Sequence, residues 1–337
     1  MNTNKKVTSY DVAREAGVSQ SAVSRVFRPG LSVSEKTRKK VMDAANKMGY
    51  RPNAIARMLI TKQSGMVAVI VSSRANENHP QVLSQVSKQL AERNKRVLLF
   101  ILDDAEGVDD LFEQIWTFQV DGIIALAPHF ECKRLALFEQ HKVPVVLYNR
   151  NDANADTSTN TVCCNHEQGI KQLLAELKLG KPQSYLVLSG PTDSDVANER
   201  REVALDLLQK SGEKNVEVLY CDYTYKSARE GLAKWLEKNP APDAVICSND
   251  TMAIGVIDEM REKHNLQIPN DISVVGFDGI TSSLWQSYQL TTIKQPVEQL
   301  VKAAVDMLLS HIENPESPSE SRVLAGTLMK GNSVKRA

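Results

Sequence analysis

From Gly65 onward the chain repeats one pattern, and that pattern limits the folds open to it. Continuous apolar runs alternate with amphipathic stretches of helical length. The runs are residues 66–71, 97–102, 120–126, 143–148, 185–189, 216–220, 244–247 and 272–277. The helical stretches are 82–93, 169–179, 196–210, 227–238, 252–263 and 296–312. A strand that is apolar at every position is buried on both faces, so helices must cover both sides of a parallel sheet. Eight strands predict two doubly wound α/β subdomains of four strands each. The polar loop 150–160 separates the two sets, so the first crossover is expected near residues 161–165.

Residues 7–25 follow a different rule. V-T-S-Y-D-V-A-R-E-A-G-V-S-Q-S-A-V-S-R reads as two short helices around a tight turn at Gly17, where a left-handed backbone is needed. Val12, Ala13, Ala16, Val18, Val23 and Val26 supply the apolar positions for crosswise packing. Ser19 can cap the second helix. That helix then presents Gln20, Ser21, Ser24 and Arg25, side chains of the types that bond base edges and phosphates. The arrangement predicts a small all-α helix-turn-helix that enters a DNA major groove, with a plain helical hairpin as the alternative. Ser34 caps a third helix over 35–48, with Val41, Ala44, Ala45 and Met48 on one face and Gly49 at its end. Arg38, Lys39, Lys40 and Lys47 lie elsewhere on it. Residues 51–60 hold a two-turn helix opened by Pro52, too short to stand alone in water. Residues 61–65 read as a linker. The expected divisions are therefore a DNA-binding domain at 1–51, a hinge helix and linker at 52–64, and a body at 65–337.

Charge supports this division. Lys plus Arg and Asp plus Glu both number 41, yet residues 1–62 hold 13 basic against 4 acidic side chains. The head carries +9 and the remainder −9, the pattern of a polyanion-binding module joined to something else. The five cysteines form no C-x-x-C and no His cluster accompanies them, so they read as reduced, buried thiols and no metal is expected. No signal peptide and no membrane-length apolar run is evident, and a cytoplasmic protein is expected. The chain lacks G-x-S-x-G, a P-loop, a G-x-G-x-x-G after a strand and H-E-x-x-H, and its six His are scattered. No enzyme activity and no cofactor are expected. A transport receptor would suit the body but not the basic head.

The motifs also carry a family resemblance. V-T-S-Y-D-V-A-R-E-A-G-V-S, V-S-R-V, V-S-E-K-T-R-K-K-V and G-Y-R-P-N-A-I-A-R-M-L resemble the head and hinge of the LacI/GalR transcriptional regulators. V-D-G-I-I, V-P-V-V-L-Y-N-R, P-D-A-V-I-C-S-N-D-T-M-A-I-G, D-I-S-V-V-G-F-D and L-T-T-I-K-Q-P resemble their effector body. The resemblance implies a repressor of a catabolic operon that binds near-palindromic operator DNA as a homodimer. It implies a body like the type I periplasmic binding proteins, with a sugar or sugar derivative between the subdomains. Gln20 and Ser21 would read bases with Arg25 beside them, while Thr8, Ser19 and Ser24 would touch phosphates or support the helix. Asn53 and Ala56 would line the hinge helix. Leu59 would wedge into the minor groove, or else pack between paired hinges. The cleft positions map to Arg200, Tyr223, Asn249 and Asp278, with turn or cap duty as the alternative for the last two. Asn149 joins them, standing where many members carry Asp. Leu179-Gly180-Lys181, Val203 and Asn78-His79-Pro80 also depart from the family pattern. Asp193 and Asp195, near the cleft, could select hydroxyl-rich or amino-bearing ligands. No Leu-heptad tail follows the last strand, so a dimer is expected rather than a tetramer.

Overall fold

The computed structural model describes residues 7–27, 32–51, 63–72, 77–102, 108–126, 138, 140–150 and 159–336. The chain divides into two compact units, residues 1–64 and 65–337.

The first unit contains α1 (Ser9–Ala16), α2 (Gln20–Val26) and α3 (Glu35–Lys47). Thr8 and Asp11 form a reciprocal capping box that opens α1. Gly17 closes it at φ 64°, and the Val18 N–H donates back to the Ala13 carbonyl at 3.0 Å. Two residues later Ser19 Oγ accepts from the Ala22 N–H at 3.2 Å and starts α2. The turn is therefore built from one left-handed residue and one cap, as the residue types predict. α3 ends at Lys47, one residue earlier than expected, with Met48 as its cap. Val12, Val23 and Val41, each at most 1% exposed, form the centre where the three helices meet. Phe27 and Tyr50 close its side in an edge-to-face pair with centroids 5.8 Å apart.

The second unit contains, among the described residues, twelve strands rather than eight. They are β1 (Met66–Ser72), β2 (Arg96–Leu102), β3 (Gly122–Ala125), β4 (Val145–Tyr148), β5 (Asn160–Cys164), β6 (Tyr185–Ser189), β7 (Val216–Tyr220), β8 (Ala244–Cys247), β9 (Ser273–Asp278), β10 (Thr291–Lys294), β11 (Ser321–Leu324) and β12 (Thr327–Met329). The helices are α4 (His79–Glu92), α5 (Val108–Thr117), α6 (His166–Leu177), α7 (Asp195–Lys210), α8 (Tyr225–Leu236), α9 (Asp250–His264) and α10 (Val297–Glu313). Two six-stranded sheets result, ordered β11-β5-β4-β3-β1-β2 and β12-β10-β9-β8-β6-β7. The first is parallel throughout, and the second is parallel except for β12.

Both faces of each sheet are covered, which explains the unbroken apolar strands. Val67, Val69 and Val71 pack into one core and Ala68 and Ile70 into another on the opposite face. Tyr185 and Val187 alternate with Leu186 and Leu188 in the same way.

The chain leaves the first sheet after β5, and two more crossings follow. After β10 the chain returns to the first sheet, where α10 packs on β3, β4 and β5 and β11 adds an edge. After β11 it passes back to β12. Gly326 lies between these last two strands. A Cβ there would come within 2.4 Å of Ile293 Cγ2 and 3.1 Å of Cys164 Sγ. The third crossing is thus packed against side chains of the other two, and a side chain has no room.

Candidate functional site

Two sets of side chains were singled out from the sequence, one in each unit. In the head, Thr8, Ser19, Ser21 and Arg25 are exposed, and Gln20 and Ser24 are half-buried. Ser19 is both the cap of α2 and a partner of Ser21, their hydroxyl oxygens 2.9 Å apart. Gln20 Nε2 donates to Ser9 Oγ at 3.4 Å, which leans its amide toward the start of α1. Two of the five α3 cations are engaged within the head. Arg38 donates to the Val26 carbonyl at 3.3 Å, and Lys47 pairs with Glu15 at 2.6 Å. Lys39 and Lys40 stay exposed. Tyr10 is a residue that the sequence reading missed. It is 68% exposed on the first turn of α1. The available signal was an aromatic at a position outside the apolar stripe of Val12, Ala13 and Ala16. Asn53, Ala56 and Leu59 lie outside the described residues.

In the body, Asn149, Arg200, Tyr223, Asn249 and Asp278 all line one cleft between the two sheets. Four of them come from strand ends or the loops just after, where an open α/β sheet places its ligands. Arg200 reaches in from the first turns of α7 and is 3% exposed. Its Nη1 donates to the Ser248 carbonyl at 2.5 Å. Its Nη2 lies 3.1 Å from Asp278 Oδ1, and its guanidinium sits 3.9 Å above the Phe277 ring. The ion pair does not meet hydrogen-bond geometry, so Nε and Nη2 have no protein acceptor. Burying such donors is costly unless something else takes them up.

Asp278 is 5% exposed and has φ 121°, a backbone conformation that L residues resist. Tyr223 and Asn149 are also left-handed, at φ 72° and 58°. Strained backbone gathered at one cleft marks a site whose geometry the surrounding fold enforces. The Tyr223 ring lies against Gly190, where a Cβ would come within 2.4 Å of Cζ, and its hydroxyl is 3.2 Å from Ser194 Oγ. Burial raises the Tyr223 pKa above the usual phenol value. Asn249 is committed elsewhere. It caps α9 by accepting from the Met252 N–H at 2.8 Å, and its Nδ2 donates to the Tyr223 carbonyl at 3.1 Å. It positions Tyr223 more than it offers free polar atoms.

Other cleft residues went unnoticed in the sequence. Gln295 Nε2 donates to Asp278 Oδ1 at 2.6 Å. It follows β10, a strand too polar to be recognised. Tyr148 reads as the last residue of a core strand, yet its buried hydroxyl has no protein partner. Arg150 forms an ion pair with Asp195 across the cleft. Asp195 is therefore a paired acid rather than a free selector of ligands. A second bridge runs from Ser282 Oγ to Glu77 Oε2 at 2.8 Å.

Behind the cleft, Asp250 is fully buried. Its Oδ2 accepts from the Gly279 and Ile280 N–H groups at 2.8 and 2.9 Å, and its Oδ1 from the Thr292 hydroxyl at 2.5 Å. Burial, with the nearby Asp278 charge, pushes its pKa up to about 7. This clamp fixes the loop that follows Asp278. Among the described residues no group of His, Cys, Asp and Glu could hold a metal ion, and no helix is long and apolar enough to cross a membrane.

Comparison with known proteins matches both units. The model of the bacterial regulatory proteins, lacI family, covers residues 8–53, and that of the periplasmic binding protein-like domain covers 177–334. Catabolite control protein A of Priestia megaterium is 30% identical over 324 residues, spanning 94% of this chain and 96% of its own. The probable HTH-type transcriptional repressor ExuR of Bacillus subtilis is 28% identical over 336 residues, spanning 98% and 99%. A crystal structure of the lac repressor dimer bound to operator and the anti-inducer ONPF superposes with a TM-score of 0.86 at 29% identity, over 98% of this chain and 99% of that one.

Proposed function

This chain belongs to the lacI family of bacterial regulatory proteins, and from that premise we propose that it is a cytoplasmic repressor of a catabolic operon whose hold on DNA is set by a sugar or sugar derivative in the cleft. It is a DNA-binding transcriptional regulator by family. In this reading Gln20, Ser21 and Arg25 face base edges. Thr8, Ser19, Ser24 and Tyr10 face phosphates or hold α2, and Asn53, Ala56 and Leu59 form a hinge in the minor groove. The cleft binds and releases its ligand without transforming it and needs no cofactor.

The observation that carries the effector part is Arg200. Its guanidinium is 97% removed from solvent and yet leaves two nitrogens without a protein acceptor. A fold keeps such a group where a ligand completes it. The ligand would touch Tyr148 and Asn149 on one subdomain and Arg200 and Asp278 on the other. It would thereby favour one arrangement of the two. Moving such a switch from 1:99 to 99:1 takes about 5.5 kcal/mol of differential affinity. Homodimer formation has its own support. Leu99 and Ile101 on the edge strand β2 are 50% and 62% exposed, and Leu284 and Trp285 form a second exposed apolar spot at 44% and 60%.

The test is operator binding by the full chain. A chain that contacts six to ten phosphates loses roughly 10³–10⁵ in affinity between 50 and 200 mM salt. A salt-independent complex, or one without sequence preference, would refute the proposal.

A further inference from the structure

We propose that the body carries a second binding site, at the end of the first sheet away from the cleft, for a small aromatic molecule with an O–H or N–H donor. Strands of this sheet end at the cleft, which Ser72 of β1, Ala125 of β3 and Tyr148 of β4 all line. Where β4 and β5 begin there is a separate cavity of about 470 Å³. That volume falls within the range of about 300–1,000 Å³ typical of small-molecule sites. Pro144, Val145 and Thr159 line it from the strand starts, and His311 and the segment 315–318 from the end of α10. α10 runs from one site to the other. Its Val297 lines the cleft and its His311 the cavity, about 21 Å apart along the helix axis.

Two buried groups in the cavity wall lack a partner. His311 is 8% exposed, and its Nε2 has no hydrogen bond. Its Nδ1 lies 3.0 Å from the Met307 carbonyl. A carbonyl only accepts, so Nδ1 carries the hydrogen and Nε2 of the neutral ring is an acceptor. Thr159 Oγ1 is also buried without a partner, and it can donate or accept. Native folds leave few such atoms, and orphans that line a cavity are completed by what enters it. An O–H or N–H donates to Nε2, and an O–H also accepts from the Thr159 hydroxyl. Beside these groups, Pro144, Val145, Pro315 and Pro318 give a stiff apolar wall. It suits a rigid ring, which gains contact area while losing little rotamer freedom. Lys142 and Glu316 add one exposed charge of each sign, so charge favours neither an anion nor a cation.

Calorimetric and thermal-shift titrations of the full chain would use phenol and indole, with anisole and 1-methylindole as matched bodies that lack the donor. The donors should bind at least tenfold tighter, because a buried acceptor left unpaired costs on the order of tenfold to a hundredfold in affinity. Thr159→Val and His311→Leu, with folding checked by circular dichroism, should each weaken phenol about tenfold and narrow its gap to anisole. Should His311→Leu not fold, Thr159→Val decides. Tyr148→Phe, in the cleft, should leave phenol binding as it is. If neither phenol nor indole binds, water alone meets His311 and Thr159, and the proposal falls. Equal binding of anisole overturns it too, as does a loss on Tyr148→Phe rather than on Thr159→Val, which would put the probe in the cleft.

Discussion

Asp250 shows what a single buried carboxylate does in this body. Its folded pKa, near 7, lies above the ordinary value of 3.8. The folded state therefore holds the proton more tightly than the unfolded chain does. Below pH 4 both states are protonated and nothing is lost. As pH rises through the window from 4 to 7, the unfolded chain releases the proton first, and stability falls; above 7 the penalty is constant. Asp250→Asn retains an acceptor for Gly279 and Ile280 and can donate to Thr292. It is expected to fold and to flatten that part of the stability–pH curve, as read by urea midpoints. In the head, Gln20 and Ser21 carry the other residue-level expectation. Changing either should alter which operator base pair is preferred, by about 1–3 kcal/mol per well-made base contact, in a competition assay over variant sites. Residues at this scale were legible when they followed an apolar strand. Asp278 and Asn249 were visible for that reason. Gln295 was hidden behind T-T-I-K, whose two threonines are 0% exposed but look like surface. Tyr148 was hidden because its ring belongs to the core while its hydroxyl belongs to the cleft.

At the scale of elements, the helix-turn-helix was read almost residue for residue because local chemistry builds it. Thr8 and Ser19 cap, and Gly17 turns. Gly17→Ala meets nothing within 4 Å but must adopt φ 64°. It should cost about 1 kcal/mol and lower the melting temperature of the head by several degrees in a calorimetric scan. The strands that escaped notice are short and rely on their neighbours. β5 and β10 are buried by tertiary packing rather than by apolar composition. β11 alternates exposed and half-buried residues at a sheet edge, and β12 is three residues long. α5 opens on V-D-D, after residues without apolar periodicity, and nothing in that stretch announces a helix start.

Across the whole body, the cleft is bridged by Arg150 with Asp195 and by Ser282 with Glu77. Asp195 is half-exposed, so the ion pair contributes little, about 0–1 kcal/mol. Asp195→Ala should accordingly change effector affinity by no more than about fivefold in a calorimetric titration. A loss of a hundredfold would mean that the bridge controls closure rather than trimming it. The three crossings between the sheets have a consequence for synthesis. The first sheet starts at Met66 but is not complete until Ser321–Leu324 joins its edge, whereas five strands of the second lie between Tyr185 and Lys294. A growing chain begins one sheet, builds most of the other, and only then returns to finish what it began. The later-starting half should become protected from proteolysis first, and a chain stopped after Lys294 should hold a protected second half beside an unfinished first.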